Sequence, residues 1–288
     1  MDLSSELGVP SPELDAACRA FAVPHRISLI GSEAKFLEKG SQAFLNVDDE
    51  RISFWTYGSG PVILLIHDWS SLGSRMMGFV KPLVALGFSV VLFDAPGHGQ
   101  STGVCSSVIQ AGKAALRLAE HLNGVHGVIA HSAGSLVALW ALSNGLSVHR
   151  SVHIRGPSPI KAIVAEITNT CFLNARQATE FLVWVETFMG VTLDSINPQA
   201  LSFGLKHPGL IIYDSDDSSV ARAQAHALYV AWIRSTLIET KGLGQKRILS
   251  DSYVIRSAVE FIAVTFQTPK GLWSGTRNHH LRAAAQIR

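Results

Sequence analysis

The chain has 288 residues, 47% hydrophobic and 16% charged, which is enough apolar material for one large α/β domain and argues against a disordered chain. A formal charge of +2 with scattered basic residues does not indicate a polyanion-binding surface, so no nucleic-acid partner is expected. Cys18, Cys105 and Cys171 are odd in number, widely separated and without metal-ligand spacing. They argue against a disulfide framework or a metal site and for a reducing, cytoplasmic setting. No apolar run is long enough to span a bilayer or read as a leader, so no membrane partner is expected either.

Residues 1–40 mix helix and turn signals (Pro10, Pro12, Pro24, Gly31, Gly40) and read as a helical lead-in packed on the outside. Residues 43–47 and 51–57 alternate in polarity around Asp48, Asp49 and Glu50, which predicts a β-hairpin. Thereafter the period changes. Residues 61–66, 89–93 and 125–130 are continuous apolar runs too short for helices, separated by helix-length segments at 76–86 and 107–122. A helix to about Leu142, strands at 150–154, 209–213 and 236–239, and helices at 220–233 and 253–266 complete the pattern. Strands buried on both faces between crossover helices predict a doubly wound, mostly parallel sheet opened by the antiparallel hairpin. After about residue 267 comes a basic tail, 268–288, with Lys270, Arg277, Arg282 and Arg288 and no acidic residue.

The run at 127–135 ends abruptly in Ser132, with Ala130 two residues before it and Gly134 two after. A serine presented at a sharp strand-to-helix turn needs small residues at those places so that strand and helix can approach closely. Ser132 is therefore read as a presented nucleophile, with Ala130 where the pattern G-x-S-x-G has its first glycine.

Two further motifs carry a family resemblance. His67-Asp68-Trp69 after one apolar run is similar to an H-G-x oxyanion loop, and Asp94-Ala95-Pro96-Gly97-His98-Gly99-Gln100-Ser101 after the next matches D-x-P-G-H-G-x-S. With the Ser132 elbow, an acidic turn at 214–217 and a terminal loop at 242–249, the chain resembles an α/β-hydrolase over roughly residues 42–267. The resemblance implies the fold, with a core at 41–156 and 208–267 and a helical cap inserted at 157–207. It does not imply the chemistry, because the family includes hydrolases, lyases, transferases, cofactor-free oxygenases and receptors.

By that resemblance the catalytic acid is Asp217, with Asp214 and Asp216 as turn residues, and the oxyanion hole is made by the backbone N–H groups of Trp69 and Ala133. The catalytic histidine of the family pattern G-x-G-H-x-x-[IL]-L is replaced by Gln245. A carboxamide can bridge a hydroxyl and a carboxylate, but it cannot take the proton. Loss of the histidine in a well-studied serine protease costs on the order of a millionfold in turnover. His67 is the candidate substitute base; His131 is expected to pack beside the sheet, His98 to be structural and His153 to lie in the core. Asp68 replaces the family glycine and brings negative charge toward a developing oxyanion, which opposes acyl transfer. Arg155 either faces the pocket, pairing with Asp68 or a substrate carboxylate, or lies at the surface.

In the insertion, Ile163, Ile167, Phe172, Leu173, Phe181, Leu182, Trp184, Val185, Phe188 and Met189 predict an amphipathic lid. Most of these side chains are expected to pin it down and a few to line an apolar pocket. The retained elbow favours an enzyme acting on a small, largely apolar organic substrate without a cofactor. Its chemistry is either ester or thioester hydrolysis with an unusual base, or cyclisation, elimination or rearrangement with Asp217, Asp68 or His67 moving the proton. The alternatives are a ligand-binding pseudoenzyme and an inactive variant in which glutamine has been put in place of the histidine. In each case Ser132, Asp217 and Gln245 are expected to converge at the C-terminal edge of the sheet beneath the 157–207 cap.

Overall fold

The computed structural model describes residues 11–157 and 159–264, so the basic tail and positions 265–266 of the helix expected at 253–266 lie outside the described residues. Eight strands form one sheet in the order β1-β2-β4-β3-β5-β6-β7-β8. β1 (Ser41–Val47) and β2 (Glu50–Tyr57) are the expected hairpin, and β2 joins β4 (Ser89–Phe93) antiparallel. β3 (Val62–Ile66), β5 (Gly127–His131), β6 (Arg150–Ile154), β7 (Gly209–Asp214) and β8 (Ser235–Thr240) continue the sheet in parallel.

The central runs are largely apolar because consecutive side chains point to opposite faces and both faces are covered. Leu64 and Ile66 of β3 join one core while Ile63 and Leu65 join the other. The first core is covered by α4 (Val108–His121), α5 (Ala133–Ser143) and α9 (Ser219–Ala231). The second is covered by a 3-10 helix (Gly73–Phe79), α3 (Val80–Ala85) and α11 (Ser252–Ala263). A single α-helix was expected over 76–86. The chain opens it as 3-10 instead, because Gly73 and Gly78 weaken α-helix there and Gly73 N–H is drawn to the Asp94 carboxylate at 2.8 Å.

The insertion forms α6 (Ile160–Thr170), α7 (Ala175–Met189), a short 3-10 turn (Leu193–Ile196) and α8 (Pro198–Ser202). Asn174 and Gln177 close a reciprocal capping box at the start of α7, and Gly190 ends it in the left-handed region at φ 71°. The lead-in does not simply pack on the outside: α1 (Pro12–Ala22) buries Leu14, Ala17, Cys18 and Phe21 and packs against α6 and α7 of the insertion. The Phe21 ring meets Phe181, Trp184 and Phe188 edge-on at 6.2, 6.4 and 6.5 Å, so these aromatics of α7 act as anchors. The chain then runs as a strap along the sheet edge, where Arg26 donates to the carbonyls of Gly99, Ser101 and Gly103. α2 (Gly31–Leu37) follows the strap and leads into β1.

Among the described residues, no helix is long and apolar enough to cross a membrane.

Candidate active site

Ser132 sits between β5 and α5 with φ 51° and ψ −118°, a conformation that an L-residue adopts only when its surroundings hold it there. Its N–H donates to Ile154 O at 2.9 Å, and its carbonyl accepts from Ser135 N–H at 2.9 Å. Strand and helix approach so closely that a Cβ added to Gly134 would lie 2.5 Å from the carbonyl oxygen of His67. That contact is the physical reason for the small residue two places after the serine. Among the described residues Ser132 Oγ makes no hydrogen bond.

The loop after β3 is held from behind by two neutral imidazoles. His67 Nε2 accepts from Ala95 N–H at 3.0 Å while its Nδ1 faces Asp68 O at 2.6 Å, which fixes the proton on Nδ1. Burial lowers its pKa to about 4. With both nitrogens engaged by backbone, His67 has no nitrogen for Ser132 and is a support rather than the substitute base. His98 is likewise engaged: Nε2 accepts from Ser70 N–H at 3.0 Å and Nδ1 donates to Pro96 O at 2.8 Å. Asp94 ties the same loops together, accepting from the N–H groups of Gly73 and Gln100 at 2.8 Å each.

The amides of Trp69 and Ala133 do converge, and what they meet is Asp68. Its Oδ1 accepts from Trp69 N–H at 2.8 Å and from Ala133 N–H at 3.0 Å, and its Oδ2 accepts from Gln245 Nε2 at 2.8 Å. The two residues that depart most from the family pattern are therefore bonded to each other, and Asp68 takes both amides that the resemblance assigned to an oxyanion hole. Gln245 is exposed on a short helix, α10 (Gly244–Arg247), after β8.

Asp217 makes a different pair. Its Oδ1 lies 2.7 Å from Arg155 Nε, with the carboxylate side chain 3% exposed and the guanidinium 24% exposed. Arg155 thus faces inward, but its partner is Asp217 rather than Asp68. Asp217 and Gln245 share no hydrogen bond, so the expected relay from acid to position 245 is not made. Asp214, read from the sequence as a turn residue, is buried and accepts from Asp216, Gly242 and Leu243 N–H and from Thr240 Oγ1. It positions the Gln245 loop against the end of β7, and those bonds to the charged form lower its pKa against the effect of burial. Asp216 donates its N–H to Asp214 Oδ1 at 3.0 Å.

His131, a pocket candidate that was also expected to pack beside the sheet, is 4% exposed and lines a cleft of about 570 Å³ together with Asp68 and Gln245, and its Nε2 has no hydrogen-bond partner among the described residues. Burial lowers its pKa, opposed by the nearby Asp68 carboxylate. His153 lies in the core, its pKa pushed by burial to about 3 and its Nε2 3.1 Å from Ser151 Oγ. The cleft's walls also include Leu249, the last residue of the 242–249 loop, and Ile27, Ile30, Arg75, Met77 and Ile255, which were not singled out from the sequence. They come from the strap, the 3-10 helix and the segment around α11, and no local pattern marks them as one surface. Among the described residues, none of those lining the cleft comes from 157–207.

The eight-stranded, mostly parallel sheet flanked by helices defines an α/β-hydrolase fold, and Ser132 lies on the strand-to-helix turn after β5. Solved structures similar to this chain all have that fold. An esterase of Pyrococcus furiosus, Pf2001, superposes with a TM-score of 0.64 at 18% identity, over 84% of this chain and 97% of its own. A putative lipase of Acinetobacter baumannii gives 0.62 at 18% identity over 84% and 99%. The epoxide hydrolase VrEH1 of Vigna radiata gives 0.58 at 14% identity over 78% and 98%. By sequence, no protein-family model and no curated protein matches the chain. The structural neighbours are hydrolytic enzymes, and at these identities the likeness establishes the fold.

Proposed function

We propose that this chain uses the α/β-hydrolase scaffold to bind a small, largely apolar organic molecule without hydrolysing it through Ser132. The observation that carries the reading is the seat of Asp68 Oδ1 on the amides of both Trp69 and Ala133. A substrate carbonyl would have to displace a carboxylate already holding both donors, and the negative charge developing on it would face that carboxylate. Gln245 cannot accept the serine proton, and Asp217 is committed to Arg155. The hydrogen bond between Asp68 and Gln245 also supports an adapted site over a histidine simply replaced, because both departures from the pattern take part in one contact.

A second reading has its own observation. Ser132 still holds φ 51° with its hydroxyl unengaged, a strain that a pure binding site does not require. It favours an enzyme of another reaction class, such as an elimination or cyclisation. Incubating the protein with short acyl esters, and separately with a fluorophosphonate followed by intact-mass measurement, tests the proposal. Ester turnover abolished by Ser132→Ala would defeat the binding reading. No turnover and slow labelling support it.

A further inference from the structure

The cleft beside the site contains two polar features that the fold leaves unmatched. The first is Arg75. Its Nε lies 2.7 Å from Glu33 Oε1, and Glu33 is itself 1% exposed with Oε2 accepting from Ile30 N–H at 3.0 Å. The guanidinium is thus held by a buried carboxylate, while its two Nη groups donate no hydrogen bond to any described residue. The second is Nε2 of His131, which has no hydrogen-bond partner among the described residues, on a residue 4% exposed. The Arg75 side chain, 37% exposed, is the more open to solvent of the two and His131 the more buried. The same cleft is lined by the apolar side chains of Ile27, Ile30, Met77, Leu249 and Ile255.

We propose that this cleft binds an organic monocarboxylate, its carboxylate on the Nη groups of Arg75, its hydrocarbon body between those walls, and a hydroxyl or carbonyl at its inner end meeting Nε2 of His131. A planar fork with free N–H groups matches a carboxylate geometrically. Glu33, with Oε1 2.7 Å from Arg75 Nε, opposes a dianion such as a phosphate monoester, so a single negative charge fits better. A volume of about 570 Å³ accommodates a small molecule of this kind. The inference rests on the binding reading above. Its readout is separate, because a free carboxylate has no acyl leaving group and ester turnover at Ser132 would leave this measurement intact.

The experiment is calorimetric titration of the full chain with octanoate, 8-hydroxyoctanoate and octan-1-ol. Octanoate should bind about tenfold or more tightly than octanol, and 8-hydroxyoctanoate more tightly than octanoate. Arg75→Gln should remove the preference for octanoate over octanol. Since that change also leaves Glu33 without its partner, Met77→Trp, at a partly exposed wall position, is the second variant and should weaken all three ligands by obstruction. Equal affinities for octanoate and octanol, or wild-type octanoate binding by a folded Arg75→Gln protein, would overturn the Arg75 contact. A hydroxyl that adds no affinity would overturn the His131 contact. Failure of all three to bind, or unaltered binding by Met77→Trp, would overturn the cleft as the site.

Discussion

Substituting Asp68 and Gln245 singly and together separates the two obstacles to acyl transfer. In Gln245→His the new imidazole would stand where Gln245 Nε2 now lies 2.8 Å from Asp68 Oδ2, so its nearest carboxylate is the one holding the oxyanion donors. Asp217 remains paired with Arg155 at 2.7 Å and does not orient it. A base is present but the hole is occupied, and the gain in esterase activity should stay under about tenfold. Asp68→Gly alone frees the two amides now bonded at 2.8 and 3.0 Å but supplies no base, and should also gain little. The double variant supplies both. Each oxyanion donor in such a site is worth on the order of 10²–10³ in turnover. The double variant should therefore exceed Gln245→His by at least about a hundredfold, which is ~2.7 kcal/mol of barrier. It should stay far below the roughly millionfold value of a complete serine–histidine pair, because the acid is still engaged elsewhere. Initial rates on p-nitrophenyl acetate, with Ser132→Ala added to each variant as background, give the comparison. A gain of about a thousandfold or more from Gln245→His alone would show that Asp68 leaves the amides readily and would refute the argument. A folded double variant no better than either single would show that the elbow is not competent.

Four further outcomes follow from the same geometry. The unmodified protein should react with a fluorophosphonate far more slowly than a serine hydrolase does, since Ser132 Oγ has no imidazole partner; rapid stoichiometric labelling contradicts this. Arg155→Met leaves the buried Asp217 carboxylate uncompensated and should cost about 3–5 kcal/mol in urea unfolding, with Arg155→Met/Asp217→Asn recovering much of it. His67, His98 and His153 are lowered by burial to about 4, 3 and 3, so they are neutral in the fold while the unfolded chain protonates near pH 6.5. Their contribution is fully present above that pH and is lost as pH falls toward their folded values, by up to about 1.4 kcal/mol per pH unit for each. A urea midpoint unchanged between pH 7 and pH 5 would count against their burial. Gly134→Val should lower the melting temperature markedly, because its Cβ would meet backbone oxygens of Ile66 and His67 at 2.6 and 2.5 Å; a wild-type melting curve argues against the close strand–helix approach.

By itself the sequence determined the order of elements and the places where chemistry is presented. Two-sided burial writes continuous apolar runs into 62–66, 89–93 and 127–131, and the close contact at Gly134 forces a small residue beside the elbow; both are local effects with local signatures. The turn at 94–101 was legible for the same reason, since Gln100 N–H and Ser101 Oγ donate back to Asp94 within a few residues. Only the tertiary structure decided the pairings. Asp68 and Gln245 are 177 positions apart, and Arg155 and Asp217 are 62 apart. Which carboxylate each reaches depends on how the loops after β3, β6, β7 and β8 descend onto the sheet edge, and no periodicity encodes that. His131 likewise sits inside the site because the Gln245 loop closes over it, and Arg75 becomes part of a cleft because the strap at 23–30 lies across the loop after β3, with His25 N–H bonded to Ser70 Oγ at 2.9 Å. Residue type sets what a side chain is able to donate or accept, and the long-range approach of loops sets which partner it finds.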